Sequence, residues 1–215
     1  MRTPGQRESL VRTKVIKWYA THGRSFPWRT TKDPYTILIA EMLLRRTTAI
    51  AVLRVFNDFM ARFETPERLA KARESDITRA LTSLGLQSVR AKQLRKTAAI
   101  IVKEYHGKIP ASHDALKSLP GVGSYIASAV MNFAYGYAVP LVDGNVIHFI
   151  SRVFGVYFSG PSDERAWDFM TKFGASHKAE LYWGIIDLVA TLCLKRYPRC
   201  PYCPLSEVCD WSMKD

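Results

Sequence analysis

The sequence predicts an all-α protein, and three observations support this fold class. Residues that begin helices, such as Ser, Thr or Asp before a proline or an apolar run, recur along the chain. Glycines follow many of these runs at positions suited to ending a helix. No stretch alternates apolar and polar residues for long enough to form a sheet. We therefore expect roughly ten helices joined by short loops.

Each predicted helix has at least one identifiable boundary residue or a periodic apolar face. Leu94, Ala98, Ile101 and Tyr105, for example, share one face at helical spacing. In chain order the predictions are residues 34–48, begun by Asp33-Pro34; a short helix begun by Thr65-Pro66; 76–84, begun by Ser75 and ended by Gly85; the helix around Leu94, ended by Gly107; 113–119, begun by Ser112; 125–135, begun by Ser124 and ended by Gly136; 144–154, begun by Asp143 and ended by Gly155; 163–173, begun by Ser162; and 179–192.

Charge and hydropathy limit the classes of function. The chain of 215 residues has 31 lysines and arginines against 19 acidic residues, a net charge of +12. This excess favours a polyanionic partner, above all nucleic acid, over a merely solubilising surface. No apolar run reaches the ~18 residues of a membrane span, and the charged N-terminus lacks the apolar core of a signal peptide. We expect a soluble, intracellular protein of prokaryotic type without membrane partners.

Four cysteines cluster near the end of the chain. They are Cys193, Cys200, Cys203 and Cys209, separated by six, two and five residues. Disulfides are improbable in a chain without a secretion signal. Four thiolates at such close spacing suit either an iron–sulfur cluster or zinc.

A glycine-rich segment, Leu119-Pro120-Gly121-Val122-Gly123, lies between two predicted helices. Glycine allows positive φ and close approach of a phosphate, and the helix that begins at Ser124 directs its positive N-terminal end at an anion. This arrangement favours sequence-independent binding of the DNA backbone. An ordinary glycine-rich turn is the alternative.

Two carboxylates are candidates for catalysis. Asp143 begins a helix, either as a simple N-cap or as an ionised group that stabilises developing positive charge. Glu41 lies among apolar neighbours, where burial raises the pKa of a carboxyl group and suits it to acting as a general acid. An exposed helical glutamate is the alternative for Glu41.

The motif LPGVG-S-Y, followed twenty residues after Gly123 by VDGN, resembles the helix-hairpin-helix base-excision DNA glycosylases of the endonuclease III superfamily. The resemblance implies a helical domain over residues 30–136, with the helix-hairpin-helix at about 113–130. It also implies a discontinuous domain of residues 1–29 and 137–215. The cysteine spacing resembles that family's [4Fe–4S] loop, here residues 193–209.

Four positions bear on the type of glycosylase. The lysine that gives family members strand-cleaving activity is replaced by Tyr125, which cannot form a Schiff base, so the resemblance implies a monofunctional enzyme. Glu41 and Asn145 match features of the adenine glycosylases. Together with Tyr125 and Asp143, they fit both those enzymes and the archaeal thymine-DNA mismatch glycosylases. Gly144 is the form familiar from the adenine enzymes.

Other segments favour the thymine/uracil branch. Arg45-Arg46-Thr47 stands where adenine enzymes usually have Gln-Gln-Thr, and both Phe26-Pro27-Trp28-Arg29 and Asp33-Pro34-Tyr35 resemble the thymine/uracil branch. The extra C-terminal domain of the adenine enzymes is expected to be absent. We therefore expect a monomeric enzyme that excises thymine or uracil from mismatched double-stranded DNA. The alternatives are a shortened adenine glycosylase and a non-catalytic iron–sulfur DNA-binding protein.

The same resemblance gives expectations for reading the DNA. Arg45, Arg46 and Thr47 would occupy the vacated base position or hold the orphan guanine, and Leu86 or Gln87 would wedge from the other side; a surface loop is the alternative. Trp28 and Tyr35 would line the base pocket, with core aromatics as the alternative.

Overall fold

The computed structural model describes residues 3–174 and 179–213. Within these ranges the chain forms eleven α-helices, three short 3-10 helices and no β-strand, which confirms the all-α class. The α-helices are α1 (Pro4–His22), α2 (Pro34–Leu44), α3 (Ala49–Arg62), α4 (Pro66–Lys71), α5 (Glu74–Ala80), α6 (Gln87–Tyr105), α7 (His113–Lys117), α8 (Ser124–Phe133), α9 (Gly144–Phe154), α10 (Glu164–Gly174) and α11 (Ala179–Thr191). No helix of the described chain is long and apolar enough to cross a membrane.

The chain divides into two compact units. Unit 1 consists of residues 1–24 and 137–215, and unit 2 of residues 25–136. The family resemblance places the first division between residues 29 and 30, and the second between residues 136 and 137. Unit 1 therefore holds α1 and α9 to α11 with the cysteines, and unit 2 holds α2 to α8.

Unit 1 is built around α11, which packs against α1 and α9. A glycine makes the α1–α11 contact close, because a Cβ at Gly184 would lie 2.7 Å from Cγ1 of Val15. Asp187 of α11 is fully buried. It accepts hydrogen bonds from the backbone N–H and the guanidinium of Arg24, at 2.7 and 2.8 Å, which fixes the residues after α1.

Unit 2 has α2 at its centre. Eight of the eleven α2 residues are buried, so the helix is covered on nearly all sides rather than amphipathic. It packs against α3, α6 and α8, while α6 also packs against α4 and α5. Helix α2 therefore provides the rigid support for the segments that precede and follow it.

Several predicted boundaries are wrong. Helix α2 ends at Leu44 rather than residue 48, and a separate helix, α3, which the sequence analysis does not predict, begins after Thr48. The Thr48 hydroxyl accepts the N–H of Ala51 at 3.2 Å, so it acts as the N-cap of α3. The break contains no glycine or proline, and its cause is a tertiary contact described below.

Three predicted N-caps are also displaced. Helix α5 is capped by Arg73 rather than Ser75, and α8 by Gly123 rather than Ser124. Helix α10 begins at Glu164, one residue later than Ser162 predicts. By contrast, Asp33, Thr65 and Asp143 cap their helices through the side chain as predicted.

Candidate functional site

The glycine-rich segment forms a tight turn between α7 and α8. The N–H of Val122 donates to the carbonyl of Leu119 at 3.0 Å, and Gly121 has a φ of +81°. Gly123 precedes α8 without a side-chain cap, and a Cβ added there would meet nothing within 4 Å. The start of α8 is thus an open backbone surface of the kind that binds a phosphate. The Leu119 side chain is buried, so only its backbone remains for the predicted DNA contact.

Asp143 is held at the start of α9 by three donors. Its Oδ1 accepts the N–H groups of Asn145 at 2.9 Å and Val146 at 2.8 Å, and its Oδ2 accepts Nδ2 of Asn145 at 2.8 Å. The preceding residues, Leu141 and Val142, are fully buried and anchor the segment. Asn145 therefore fixes the carboxylate of Asp143 in one orientation.

Burial and hydrogen bonding act on Asp143 in opposite directions. Burial is the largest effect and raises the pKa of the Asp143 carboxyl, while the donors from Val146 and Asn145 lower it. The sequence-based expectation, that the helix N-terminus keeps the group readily ionised, therefore omits the dominant effect. The carboxylate form of Asp143 is held in an environment that disfavours charge, which strengthens its attraction for a cation.

Glu41 and Tyr125 lie in unit 2, on helices that pack against each other. Glu41 belongs to α2 and is 6% exposed, which confirms its predicted burial. Tyr125 is the second residue of α8 and is half-buried. The structure therefore brings α2, the glycine turn and Tyr125 into one unit, whereas Asp143 and Asn145 belong to unit 1.

The predicted DNA-reading segments are two strained turns of unit 2. Arg46 follows α2 with a φ of +53°, and Leu86 precedes α6 with a φ of +50°. A non-glycine residue in this region costs about 1 to 3 kcal/mol, and such strain concentrates at functional sites. Leu86 is 57% exposed. An exposed apolar side chain on a fixed turn suits the wedge role predicted for it, and Gln87 begins α6 beside it.

Arg45 has contacts within unit 2 that the sequence analysis misses. Its Nη1 donates to the carbonyl of Gly121 and to Oε1 of Gln93, both at 3.1 Å. Arg45 therefore links the end of α2 to the glycine turn. Thr47 completes the α2–α3 connection, with its N–H directed at the carbonyl of Leu44 at 3.4 Å.

The two predicted pocket aromatics lie in the core of unit 2. Trp28 stacks on Phe26 and meets Phe56 edge-on, each at 4.9 Å between ring centroids. The hydroxyl of Tyr35 donates to the carbonyl of Phe63 at 2.8 Å. These contacts are typical of core aromatics, the alternative left open by the sequence, and a role in a base pocket stays a prediction.

All four cysteines line one cavity in unit 1, and none forms a disulfide. Apolar side chains, including Phe149, Leu188 and Leu205, complete its wall. Burial raises the pKa of the Cys203 thiol to about 11, and the charges of the other three cysteines add to the rise. Four neighbouring thiols in an apolar wall fit a thiolate-bound cluster, because iron would offset the charge that burial disfavours. Among residues 3–174 and 179–213, however, no preformed metal-binding group of His, Cys, Asp or Glu is found.

Two α9 residues support the cysteine segment and were missed in the sequence. Arg152 donates to Sγ of Cys193 at 3.6 Å and to the carbonyl of Leu194 at 2.8 Å, with its guanidinium over the Trp211 ring at 4.4 Å. His148 Nε2 lies 2.9 Å from the carbonyl of Cys193. These contacts join the helix that begins at Asp143 to the first cysteine.

A comparison with protein-family models identifies the family. The model described as HhH-GPD superfamily base excision DNA repair protein matches residues 39–168. The chain belongs to this superfamily. The match includes Glu41, the glycine turn, Tyr125 and the Asp143–Asn145 pair, so the candidate residues of both units fall within the HhH-GPD region.

Curated relatives of this HhH-GPD protein extend over nearly its whole length. A thymine-DNA glycosylase of Aeropyrum pernix is 39% identical over 216 residues, covering 97% of each chain. A thymine/uracil-DNA glycosylase of Pyrobaculum aerophilum is 37% identical and covers 94% of this chain and 92% of its own. An adenine DNA glycosylase of Mycobacterium tuberculosis is 38% identical, covering 93% of this chain and 66% of its own.

Comparison with solved structures shows proteins of the same fold. A thermostable thymine-DNA glycosylase has a TM-score of 0.92 at 32% identity, covering 98% of this chain and 99% of its own. Endonuclease III in a non-covalent complex with DNA has a TM-score of 0.87 at 23% identity, covering 100% and 98%. The second match supports the fold alone.

Proposed function

We propose that this HhH-GPD protein is a monofunctional DNA glycosylase that removes thymine or uracil mispaired with guanine from double-stranded DNA. The observation that carries the proposal is Asp143, a half-buried carboxylate held by three donors at the start of α9. The similarity to thymine-DNA and thymine/uracil-DNA glycosylases over nearly their full length supports the choice of base. The protein acts as a monomer on mismatched duplex DNA.

Binding begins with the DNA backbone. The open amides at Gly123 and Ser124 receive a phosphate, and the net charge of +12 supplies the long-range attraction. These contacts position the duplex without reading its sequence.

The target nucleotide then leaves the stack, because its glycosidic bond is out of reach inside a duplex. Leu86, exposed on a strained turn, wedges into the duplex with Gln87 beside it. Arg46, on the other strained turn, faces the orphan guanine, while Arg45 holds the glycine turn in place. Removing stacking and pairing from a mismatched base costs less than from a matched one, which contributes selectivity.

Hydrolysis breaks the bond between C1′ of the sugar and N1 of the pyrimidine. The negative charge of Asp143 stabilises the positive charge that develops on the sugar, and the carboxylate orients the attacking water. Water adds its oxygen to C1′, and Asp143 accepts the proton that is released. Glu41, buried in α2, hydrogen-bonds or protonates the departing base. The products are the free base and an abasic site in an intact strand.

Tyr125 accounts for the intact strand. A phenol cannot form the imine with C1′ that β-elimination requires, so the reaction stops at the abasic site. Its position on the first turn of α8 is next to the phosphate-binding backbone.

The cysteines of unit 1 are proposed to hold a [4Fe–4S] cluster. The proposal is supported by the common cavity that Cys193, Cys200, Cys203 and Cys209 line, because four cysteine thiolates are the usual ligands of such a cluster. When bound, the cluster would act structurally, by cross-linking the loop. Arg152 orients Cys193, and the loop residues Lys195, Arg196 and Arg199 are then available to phosphates.

Excision of adenine from A/G mismatches is the second candidate. The adenine DNA glycosylase of Mycobacterium tuberculosis is 38% identical over 204 residues, and the DGN form at Asp143 is familiar from that branch. Adenine leaves poorly unless protonated, so this reaction would depend more on Glu41.

A panel of labelled duplexes distinguishes the two. Duplexes with T/G, U/G, A/G and adenine opposite oxidised guanine are incubated with the protein, and each sample is divided before alkali treatment. We expect cleavage of the T/G and U/G strands only after alkali. Faster loss of adenine would favour the second candidate, and loss of no base at all would favour a non-catalytic DNA-binding protein.

A further inference from the structure

Arg90 is a buried arginine whose hydrogen bonds all go to backbone carbonyls. It lies on α6 and is 7% exposed. Nε donates to the carbonyl of Gly85 at 3.1 Å, Nη1 to those of Met42 and Leu43 at 3.2 and 2.9 Å, and Nη2 to that of Arg45 at 2.5 Å. We call this set of five residues the Arg90 junction.

The junction explains why α2 ends at Leu44. The last carbonyls of a helix lack partners within the helix, and they are commonly satisfied by a glycine cap or by a cation. Helix α2 has no glycine after it, and Arg45 continues in an extended conformation. Arg90 supplies the missing donors from 45 residues further along the chain, so the end of α2 depends on α6.

The junction also joins two segments that contain strained residues. The carbonyl of Arg45 immediately precedes Arg46, and the carbonyl of Gly85 immediately precedes Leu86; both following residues have positive φ. A single planar guanidinium therefore fixes the peptide groups that lead into both turns. Because its five donors are rigidly arranged, the two turns cannot shift independently without loss of a hydrogen bond.

Other side chains on the same face of α6 extend this contact to the glycine turn. Gln93 accepts a hydrogen bond from Arg45, and the hydroxyl of Thr97 donates to the carbonyl of Pro120 at 2.7 Å. Residues 90, 93 and 97 are spaced to share one helical face. Helix α6 thus contacts three segments: the turn after α2, the turn before α6 itself, and the glycine turn.

We infer that Arg90 is a positioning residue, which holds the Arg46 and Leu86 turns in one arrangement so that they open the duplex together. The inference rests on the proposed function in assigning these turns to the DNA. Arg90 itself, being buried, contacts neither base nor phosphate. Without it, the last carbonyls of α2 would lose their donors, and the geometry between the two turns would relax.

The test measures preference for a distorted duplex rather than excision. Affinities are determined for a duplex with a tetrahydrofuran abasic analogue opposite guanine and for the undamaged duplex. The preference is the ratio of these two affinities. This preference requires no base release, so it tests Arg90 even if the proposed base specificity fails; the duplex panel above tests the specificity separately. Arg90→Met removes all four hydrogen bonds, while Arg90→Lys keeps the charge with fewer donors.

Arg7→Met provides a control in the other unit. Arg7 lies in unit 1 and also donates to two backbone carbonyls, those of Val153 and Val208, and in addition it pairs with the carboxylate of Asp210. Its loss should lower thermal stability without changing the preference. For Arg90→Met we expect a roughly tenfold or greater loss of preference, because the variant loses the four hydrogen bonds that fix the two turns. Affinity for the undamaged duplex should change by less than about twofold, since phosphate contacts dominate it.

Combination with Leu86→Ala separates positioning from stability. If Arg90 acts through the turns, Leu86→Ala lowers the preference in the natural protein but causes little further loss of preference in the Arg90→Met protein. Additive effects of the two changes, or a lower melting temperature with the preference intact, would overturn the inference. Should Arg90→Met fail to fold, Arg90→Lys is combined with Leu86→Ala in its place. We then expect an intermediate loss of preference and effects that are partly non-additive. Fully additive effects would overturn the inference.

Discussion

Replacing Asp143 with asparagine separates catalysis from stability. The amide oxygen of asparagine can still accept the N–H groups of Asn145 and Val146, so the helix cap survives. In the variant, an amide nitrogen takes the place of Oδ2. It cannot accept the hydrogen bond that Nδ2 of Asn145 donates in the natural protein, so this bond is lost. The negative charge is lost with it.

The catalytic and structural effects should differ in size. Loss of a main electrostatic contribution typically costs on the order of a hundredfold or more in rate. One lost hydrogen bond costs about 1 kcal/mol, and removal of a charge that burial disfavours offsets part of it. We therefore expect Asp143→Asn to lose at least about a hundredfold in single-turnover excision, while its free energy of unfolding at pH 7 stays within about 1 kcal/mol of the natural protein.

The pH dependence of stability gives an independent check. Because burial raises the pKa of Asp143 in the folded state, the folded protein binds this proton more tightly than the unfolded chain does. The resulting stabilisation is present at low pH and is lost as the pH rises through the folded-state pKa. Stability of the natural protein should thus fall relative to Asp143→Asn as the pH rises above the ordinary aspartate value, by at most about 1.4 kcal/mol per pH unit.

The assays are quench-flow excision from a T/G duplex and urea unfolding between pH 4 and 8. Asp33→Asn is the control, because Asp33 also caps a helix through its carboxylate and has no proposed catalytic role. Its rate should stay near that of the natural protein. If Asp143→Asn excises within about tenfold of the natural rate, Asp143 is only a helix cap and the catalytic assignment is wrong.

Four further predictions concern strand cleavage, DNA binding, the cysteines and Glu41. Borohydride should trap no covalent adduct of the natural protein with DNA, whereas Tyr125→Lys places an amine on the first turn of α8 and should yield a trapped adduct; efficient trapping by the natural protein would refute a monofunctional mechanism. If about five phosphates are contacted, the logarithm of the binding constant should fall with the logarithm of salt concentration at a slope of about −4 to −5, and a flat dependence would show that the net charge does not bind DNA. Pure protein should contain ~4 iron and ~4 sulfide per chain, Cys203→Ser should lose both, and stoichiometric zinc in protein made anaerobically with ample iron would contradict the cluster. Glu41→Gln should slow removal of adenine more than removal of thymine or uracil, and an equal effect on all three bases would contradict its role as a proton donor.

Local patterns in the sequence were sufficient for the helices that carry the candidate residues. Asp143 and Gly155 bound α9 as predicted, because an aspartate cap and a left-handed glycine act through neighbouring residues. Burial of Glu41 followed from the apolar residues around it. Such features need no knowledge of distant parts of the chain.

Features fixed by distant residues were not predictable in this way. The end of α2 depends on Arg90, and nothing between Arg45 and Thr48 breaks a helix by itself. One pattern pointed to Arg90: it lies four residues before Leu94 on the apolar face of α6, where an arginine is unexpected unless its donors are satisfied. The left-handed conformation of Leu86 also has no local cause, since leucine disfavours it.

The reaction proposed for this protein is hydrolysis of the glycosidic bond of a mispaired pyrimidine, with the strand left intact. The most direct measurement incubates equimolar T/G and A/G duplexes with the protein in one reaction and quantifies free bases by mass spectrometry and strand length without alkali. We predict release of free thymine well before adenine, with both strands at full length and release abolished in Asp143→Asn. Release of adenine first, a shortened strand without alkali, or no free base would contradict it.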